Sequence, residues 1–291
     1  MNIWCVIVCY RPNVEILRQL CEALLADSAT IVLVDNSETF VHDLKTIIPG
    51  AKLTTLGFNS GIAFAQNIGI RSALDSGADV IALFDQDSQI KPGFLSALVE
   101  PLRLGVPAVV SPLYYDNMSE QELPSLAVSK LGISTAIHRQ GQQNPYPVDV
   151  VISSGTVATR EVYDIAGLLD ESLFIDFVDT EWCLRCRNKN VPIWVVPSAI
   201  MHHRIGRRSI NLGITTILVH NQVRCYYQLR NCFLLFRRKH IPFLFSSKQL
   251  ISVFVSRTLL LLFVNDRWSY VRAYLSALLD GVRGVEGPKR A

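Results

Sequence analysis

The fold is decided by residues 78–94, ADVIALFDQDSQIKPGF, where an apolar run leads directly into two carboxylates that stand one residue apart. On an extended backbone, residues i and i+2 point to the same side, so Asp85 and Asp87 can face one hard cation at the exposed end of a strand. A divalent ion bound there would neutralise a diphosphate and ease its departure as a leaving group. The stretch therefore predicts a buried strand that ends in a phosphate-handling site.

Apolar runs alternate with helical spacing around this stretch. Strands are predicted over 3–9, 30–34, 52–56 and 80–84, and helices over 14–25 and 62–74. This alternation predicts a parallel, doubly wound α/β sheet with helices on both faces. Ligands of such sheets bind beyond the carboxyl ends of the strands. The polar clusters Tyr10-Arg11, Asp35-Asn36-Ser37 and Asp85-Gln86-Asp87 all fall there.

The acidic pair has two other interpretations. The aspartates can be solvated turn residues, or Asp85 can be the phosphorylated aspartate of a haloacid-dehalogenase-like phosphatase, with Asp87 as its acid/base. Against the phosphatase, that motif normally opens its domain, whereas here strands with polar ends of their own precede it, and the usual threonine is absent.

The segment GFNSGIAFAQNIGIRSA places Asn59, Gly61, Asn67 and Gly69 around the start of a predicted helix. Gly61 would let the backbone approach a ligand, and the first amides of the helix would offer an anion site. Alternatively, the glycines ease packing of the helix on the sheet and Asn59 caps the helix. Asp35 is likewise either a turn former or the acceptor of a nucleobase N–H.

Carboxylates surround apolar residues in 170–189, DESLFIDFVDTEWCLRCRNK. Asp179 either caps the following helix or, beside an apolar wall of Phe177 and Trp182, accepts a proton from an attacking hydroxyl. Arg185 stands four residues after Glu181, which predicts an ion pair on the helix. The histidines of 201–206, MHHRIG, are either ordinary core or surface residues or part of an Asp/His site for manganese or magnesium.

The composition favours contact with lipid, because 49% of residues are hydrophobic, 18% are charged and the mean hydropathy is +0.27. A net charge of +3 is too small to indicate nucleic-acid binding. Seven cysteines in apolar segments fit a reducing cytosol, and Cys183 and Cys186 are better explained as buried side chains than as a metal site. The N-terminal run predicts a strand rather than a signal peptide.

The character of the chain changes near residue 213, which predicts a domain of 1–213 followed by a helical region of 214–291. Its longest apolar stretch, 250–264, contains Arg257 and is shorter than the roughly 20 residues that cross a bilayer. Aromatic and basic residues favour helices that lie in a membrane interface, against packed helices or an oligomer contact. Residues 113–148 predict irregular surface or a hairpin.

Taken in order, the chain resembles the inverting family 2 glycosyltransferases, which have the GT-A fold. The resemblance implies a doubly wound, mixed and mostly parallel sheet flanked by helices. The segments that carry the resemblance are VIVCYRPN, LVDNSE, NSGIAFAQNIG, FDQDS, SSGT at 153–156, VDTEWCLR and HHRIG, and they cover residues 3–210. The segments FIDFVDTEWCLR, HHRIG and YYQLRN are most similar to those of bacterial rhamnosyltransferases, which use dTDP-L-rhamnose and build O-antigen or other surface glycans.

The resemblance implies roles for particular residues. The nucleotide sugar would contact Cys9, Tyr10, Arg11, Asp35, Asn59, Gly61, Asp85 and Gln86. A Mg²⁺ or Mn²⁺ ion would bind Asp85, Asp87 and His203, and Asp179 would be the catalytic base. The substrate and acceptor side would include Ser154, Gly155, Thr156, Glu181 and Trp182. The family commonly has Glu-Asp where this chain has Val178 and Asp179, so Glu181 can share the role of Asp179.

The implied protein is a metal-dependent hexosyltransferase with a nucleotide-sugar donor and a glycan or lipid-linked acceptor. It would be cytoplasmic and peripheral on the inner face of the cell membrane, with a homo-oligomer contact through its C-terminal helices as a further expectation. One alternative is a family 2 transferase that uses a UDP- or GDP-sugar. Another is a membrane-associated assembly subunit without catalytic activity.

Overall fold

The computed structural model describes residues 1–39, 44–117, 120–203, 209–211 and 216–289. The strands are β1 (Ile3–Cys9), β2 (Thr30–Asp35), β3 (Lys52–Thr55), β4 (Val80–Asp85), β5 (Val109–Asp116), β6 (Glu122–Leu123), β7 (Ser125–Val128), β8 (Ser134–Ile137), β9 (Tyr146–Val148), β10 (Val157–Thr159), β11 (Ile193–His203), β12 (Ser209–Asn211) and β13 (Thr216–Leu218). The helices are α1 (Val14–Ala26), α2 (Leu44–Ile47), α3 (Ile62–Asp75), α4 (Phe94–Val99), α5 (Arg160–Ala166), α6 (Val178–Asn188), α7 (Gln222–Leu235), α8 (Phe243–Leu260) and α9 (Arg267–Arg283). Two 3₁₀ helices span Glu100–Leu104 and Glu171–Leu173.

The central sheet has the strand order β3-β2-β1-β4-β10-β5-β11-β9, with β6 paired to β5. The first four strands are parallel, and β11 is parallel to β5. β10 is antiparallel to both β4 and β5, and β9 is antiparallel to β11. The structure therefore confirms a mixed, mostly parallel α/β sheet.

The strand β1 is apolar on both faces, since helices cover the sheet from both sides. Val6 and Val8 belong to the core cluster that includes α3, whereas Cys5 and Ile7 belong to the one that includes α1. Gly69 is required where α3 crosses the sheet, because a Cβ there would lie 2.2 Å from Val6 Cγ1. For this glycine the packing interpretation is correct.

The parallel register brings the polar clusters together at one edge. Cys9 pairs with Asp35 on β2, and Val8 pairs with Asp85 on β4, so the three strands end side by side. The amide of Asn36 donates to the carbonyl of Cys9 at 2.8 Å. The predicted ligand-binding edge is thus formed by the strands that the sequence indicates.

The region 113–148 is more regular than one of its two interpretations predicts. It contains a hairpin, in which β7 pairs antiparallel with β8, and it supplies β9 to the edge of the main sheet. The pairing of β11 with β5 shifts register between Val196 and Ile200.

Helix α7 packs against the rest of the molecule through two fully buried polar side chains. The carboxamide of Asn231 donates to the carbonyls of Leu173, Ile175 and Asp176 at 2.9, 2.8 and 3.0 Å. The guanidinium of Arg230 donates to Asn231 Oδ1 through Nε and Nη2 at 2.9 and 2.7 Å. Residue 213, the predicted boundary, lies outside the described residues, yet α7 is an integral part of the fold around 173–177.

The segment held by α7 is strained. Phe174, Asp176 and Phe177 all have φ of +64°, a region that costs an L-residue about 1–2 kcal/mol. Such backbone persists only where surrounding contacts determine it. The hydrogen bonds from Asn231 supply contacts of this kind at three carbonyls in or beside the segment, those of Leu173, Ile175 and Asp176.

The C-terminal region is helical, as the sequence predicts, but its arginines are arranged differently. Arg257 is buried and donates to the carbonyl of Leu218, so it does not lie on a polar outer face of α8. Within the described residues, no helix combines the length and the hydropathy needed to span a bilayer.

We expect Asn231→Leu to lower the free energy of unfolding by about 2–4 kcal/mol, because the carbonyls of Leu173, Ile175 and Asp176 each lose a donor. The carbonyl of Leu173 still accepts a hydrogen bond from Arg230. Guanidinium-chloride unfolding measures the loss. The matched control is Asn188→Leu at the exposed end of α6, which should change stability by less than about 0.5 kcal/mol. Equal stability of the two variants would contradict the role given to Asn231.

Candidate active site

A cavity of about 530 Å³ lies at the carboxyl edge of the sheet, where β1, β2 and β4 end. Its wall combines residues from the predicted nucleotide side with residues from the segment 174–175 and from the start of α7. The lining residues are Val8, Tyr10, Asn36, Asn59, Gly61, Ile62, Asp85, Gln86, Asp87, Phe174, Ile175, Asn221, Val223, Arg224 and Tyr227.

Gln86 joins the ends of β1 and β4. Its Oε1 accepts the amide of Tyr10 at 2.6 Å, and its Nε2 donates to the carbonyl of Tyr10 at 3.1 Å. The hydroxyl of Tyr10 donates to Glu38 Oε1 at 3.1 Å. The side chains of Tyr10 and Gln86 line the cavity. The two hydrogen bonds between Gln86 and the backbone of Tyr10 fix the separation of the two strand ends.

Asn36 organises the neighbouring wall. Its Oδ1 accepts the amide and the hydroxyl of Ser60, each at 2.8 Å, and its Nδ2 donates to Asn59 Oδ1 at 3.3 Å. Asn59 Oδ1 in turn accepts the amide of Gly61 at 3.1 Å. Asn59 therefore stabilises the turn before α3 and does not cap the helix.

Gly61 lines the cavity, but its missing side chain serves a contact within the protein. With φ of +84°, a Cβ at this position would lie 2.6 Å from both the carbonyl oxygen and the ring of Phe174. The first amide of α3, that of Ile62, donates to the same carbonyl at 2.8 Å. This amide is thus occupied by Phe174 rather than offered to an anion.

Three residues of the expected nucleotide pocket lie outside the cavity lining. Cys9 is fully buried, and its side chain belongs to the core cluster with α1. This burial raises the pKa of the Cys9 thiol far above the ordinary value. The carboxylate of buried Asp35 accepts the amide of Ser37 at 3.1 Å. Arg11 is exposed and pairs with Glu38 at 3.2 Å. The side chains of Cys9 and Asp35 are buried behind the cavity lining, and their contact with a nucleobase stays a prediction.

Asp85 and Asp87 both line the cavity, where their carboxylates can bind one cation. The amide of Asp85 donates to Ser154 Oγ at 3.0 Å, and Ser154 Oγ lies 2.7 Å from Ser88 Oγ, so the turn between the two aspartates is braced from behind. Magnesium typically uses one or two protein carboxylates together with waters and substrate phosphates. Two carboxylates beside a cavity fit that donor set.

The side chain of His203, the third predicted metal ligand, lies outside the described residues, as do residues 204–206 of the HHRIG segment. Among the residues whose side chains are described, no group of three or more His, Cys, Asp or Glu residues is arranged to hold a metal ion.

The SSGT turn supports the site and does not face the cavity. Ser154 and Thr156 are buried, and Thr156 Oγ1 donates to the carbonyl of Ile152 at 2.5 Å. Gly155 has φ of +83° and no room for a side chain, since a Cβ would lie 2.7 Å from Met201 Sδ. All three residues are buried outside the cavity lining, and their contact with substrate stays a prediction.

Asp179 lies in the first turn of α6, one residue after the helix begins at Val178. Phe177 occupies the N-cap position without a capping hydrogen bond from its side chain, so Asp179 is not the capping residue. Its Oδ1 accepts the amide of Thr180 at 2.7 Å. Burial raises the pKa of Asp179 above the ordinary value, and the nearby carboxylate of Asp176 adds to the rise, although hydrogen bonds from Thr180 and Ser153 oppose it.

The polar groups of Glu181 and Trp182 bind partners within the protein. Glu181 is buried and pairs with Arg185 at 2.6 Å, as the spacing predicts, and with His240 Nε2 at 2.8 Å. Burial alone raises the pKa of Glu181, but hydrogen bonds from His240 and Arg185 hold it below its ordinary value. Trp182 is 3% exposed and donates to the carbonyl of Gly167 at 2.9 Å. Neither residue lines the cavity, and their contact with substrate stays a prediction.

The sequence interpretation missed the wall contributed by the C-terminal region. Arg224 projects from the first turn of α7 and forms an ion pair with Asp176 at 2.9 Å. The ring of Tyr227 stacks on Phe174 with centroids 4.6 Å apart. The signal was present in the polar residues Asn221 and Arg224 ahead of YYQLRN, but the aromatic and basic composition of the region indicated a membrane surface instead.

Arg224 carries the positive charge of this wall at neutral pH. Burial lowers the pKa of the neighbouring His220 to about 4, and Arg224 and Arg257 lower it further against the opposing effect of Asp176. The imidazole of His220 is therefore neutral, whereas the guanidinium of Arg224 is charged throughout the physiological range.

Solved structures share this fold. S. aureus TarS 1–349 in complex with UDP-GlcNAc superposes with a TM-score of 0.57 at 12% identity, covering 97% of this chain and 82% of TarS 1–349. GalNAc-T7 with UDP, GalNAc and Mn²⁺ superposes with a TM-score of 0.57 at 16% identity, covering 70% of this chain and 44% of its own. This chain thus spans less than half of GalNAc-T7. These neighbours are GT-A glycosyltransferases, and the likeness shows the GT-A fold.

Sequence comparison identifies the family. The chain is 38% identical over 290 residues to the dTDP-rhamnosyl transferase RfbF of Shigella flexneri, covering 99% of this chain and 98% of the relative. An uncharacterized protein of Mycobacterium tuberculosis is 24% identical over 65% of this chain and 70% of its own. Residues 4–164 match the family described as Glycosyl transferase family 2. On these matches, the chain belongs to glycosyl transferase family 2.

Proposed function

We propose that this protein is an inverting glycosyltransferase that moves L-rhamnose from dTDP-L-rhamnose to a glycan or lipid-linked acceptor of a bacterial surface polysaccharide such as O-antigen. The observation that carries the proposal is the 38% identity to a dTDP-rhamnosyl transferase over 99% of the chain. The cavity supports it, because about 530 Å³ lies within the range of roughly 300–1,000 Å³ that holds small ligands.

The proposed reaction is a single displacement. A hydroxyl of the acceptor attacks the anomeric carbon, the bond to the nucleoside diphosphate breaks, and the configuration at that carbon inverts. Asp179 takes the hydroxyl proton as general base. The raised pKa and the partial exposure of Asp179 support this role. Asp179 is not one of the residues that line the cavity.

A divalent cation, Mg²⁺ or Mn²⁺, completes the proposed donor site. Asp85 and Asp87 would hold it, and when bound it would neutralise charge that develops on the departing diphosphate. The two carboxylates need such a cation, since on their own they repel an anionic donor from the cavity that they line.

The alternatives are less well supported. The family match does not favour a phosphatase, and the structure places Asp85 on a central strand that follows three others. A UDP- or GDP-sugar donor and a non-catalytic assembly subunit remain as outcomes of the donor experiment.

We expect dTDP-L-rhamnose to raise the melting temperature of the protein by several degrees in Mg²⁺ or Mn²⁺, because a ligand that binds the folded state stabilises it. UDP- and GDP-sugars should give smaller shifts. Asp87→Asn, or added chelator, should remove most of the shift, whereas Asp75→Asn at the exposed end of α3 should retain it. A larger response to UDP- or GDP-sugars would overturn the donor, and no response to any of them would favour the assembly subunit.

For Asp179→Asn we expect kcat to fall at least about 100-fold while donor binding is retained, since the variant lacks a proton acceptor. In the wild-type protein, the acid limb of the kcat profile should lie above the ordinary carboxyl pKa of about 3.9, because the pKa of Asp179 is raised. Rate measurements from pH 4 to 9, with exposed Asp164→Asn as control, test both expectations.

The stability of Asp179→Asn separates a catalytic role from a structural one. A carboxyl whose pKa is raised in the folded state favours the fold when protonated, and this contribution is lost as pH rises through that pKa. At neutral pH the Asn variant should therefore be at least as stable as wild type. Lost activity together with a lowered melting temperature would contradict the assignment of Asp179 as the base.

We also propose that the C-terminal helices bind the inner surface of the cell membrane. Large apolar side chains are exposed on α8, on α9 and between them, and they include Phe243, Ile251, Phe254, Leu262 and Trp268. Phe243 and Trp268 are 72% and 76% exposed. An apolar surface of this kind, with the interfacial residue Trp268, suits the boundary between lipid headgroups and acyl chains.

We expect the double substitution Ile251→Gln and Phe254→Gln to reduce co-sedimentation with phosphatidylglycerol vesicles several-fold, because it removes apolar side chains from this surface. Leu104→Gln, at an exposed position outside the C-terminal helices, should bind like wild type. Deleting the region would be a poor test, since α7 also lines the cavity. The membrane proposal is wrong if the wild-type protein does not bind vesicles. If the wild-type protein is then a dimer that the two substitutions dissociate, a second copy covers the surface.

A further inference from the structure

The described residues that line the cavity carry three charged side chains: Asp85, Asp87 and Arg224. Arg224 is the only cationic residue in that described lining, and its side chain is 44% exposed. A nucleoside diphosphate that enters the cavity meets two carboxylates of like sign, so a fixed cation on the opposite wall has a direct electrostatic effect on binding.

Arg224 is held in place by an anion of the protein itself. Its Nε lies 3.2 and 3.1 Å from the two carboxylate oxygens of Asp176, and its Nη2 lies 2.9 Å from Oδ1. This is the two-oxygen recognition that a guanidinium also gives to a phosphate group. Asp176 is 12% exposed, so the pair lies at the boundary between the cavity and the protein interior.

The backbone around this pair is fixed while the arginine side chain is not buried. Asn221 Oδ1 accepts the amide of Arg224 at 2.8 Å and begins α7, and Asn231 holds the carbonyl of Asp176 at 3.0 Å. Asp176 itself has φ of +64°, so its carboxylate is presented by a strained segment that the fold maintains. The arrangement places a partly exposed cationic side chain at a wall whose backbone is held by hydrogen bonds.

From this geometry we propose that Arg224 is a binding residue for the diphosphate of the donor, and that the carboxylate of Asp176 occupies its guanidinium until the diphosphate replaces it. The inference rests on the proposed function, because it requires a nucleoside diphosphate in this cavity. It assigns a donor-binding role to a residue of the C-terminal region. Arginine suits the role better than lysine, since its planar fork can engage two phosphate oxygens at once.

Calorimetric titration in Mg²⁺ with dTDP, UDP, GDP and thymidine tests the inference on the full-length protein. We expect Arg224→Gln to raise the Kd of the preferred nucleoside diphosphate at least tenfold, and Arg224→Lys to raise it less, because a point charge remains. The Kd of thymidine should not change. Asp176→Asn should tighten diphosphate binding, since it removes the competing carboxylate.

The matched control is Arg18→Gln on α1, where an exposed arginine pairs with Glu15 and Glu22 and should not affect binding. Circular dichroism checks that each variant is folded. Wild-type affinity of Arg224→Gln for the diphosphate would overturn the inference, as would an equal loss of thymidine binding, which would assign Arg224 to cavity structure.

Nucleotide binding by the wild-type protein separates a wrong donor from a wrong role for Arg224. If it prefers UDP or GDP to dTDP, the proposed donor is wrong, and the effect of Arg224→Gln on that preferred ligand still decides the inference. If the wild-type protein binds no nucleoside diphosphate, both the donor site and the role of Arg224 are overturned.

Discussion

Parallel pairing of β1 with β2 and β4, buried on both faces, is the constraint on which the rest of this protein depends. Because helices cover both sides of these strands, polar side chains are excluded along their length and collect where the strands end. The register then sets Asp85 beside Val8 and Asp35 beside Cys9. The carboxyl ends of these strands thus meet at one edge of the sheet, where Val8 and Asp85 line the cavity.

The opposite wall depends on a second constraint, the attachment of α7 to a strained backbone. Phe174, Asp176 and Phe177 adopt positive φ, and the buried carboxamide of Asn231 compensates by satisfying carbonyls in and beside that segment. The same segment supplies Phe174 and Ile175 to the cavity and leads into the helix that carries Asp179. The C-terminal region and the candidate site are therefore one structural unit.

Several residues of the family motifs support the site from behind. Ser154 braces the turn that carries the two aspartates, and Gly155 leaves room for Met201. Trp182 and Glu181 are buried in contacts with Gly167 and with Arg185 and His240. A motif shows that certain residues occur together. It does not distinguish a residue that contacts a ligand from a neighbour of the same chemical type that only holds the contacting residue in place.

The sequence by itself determined the α/β sheet and the edge at which its polar clusters meet, because apolar periodicity and strand-end residues are local properties of the chain. The ordered series of motifs, through its resemblance to known transferases, indicated the family. Only the tertiary structure decided that Cys9 and Trp182 face the core and that Arg224 faces the cavity. Side-chain direction at those positions depends on contacts between segments far apart in sequence, such as Asp176 with Arg224 and Phe174 with Tyr227. Composition alone indicated a membrane surface for a region that also completes the site, since aromatic and basic residues suit a lipid interface and a nucleotide cavity equally well.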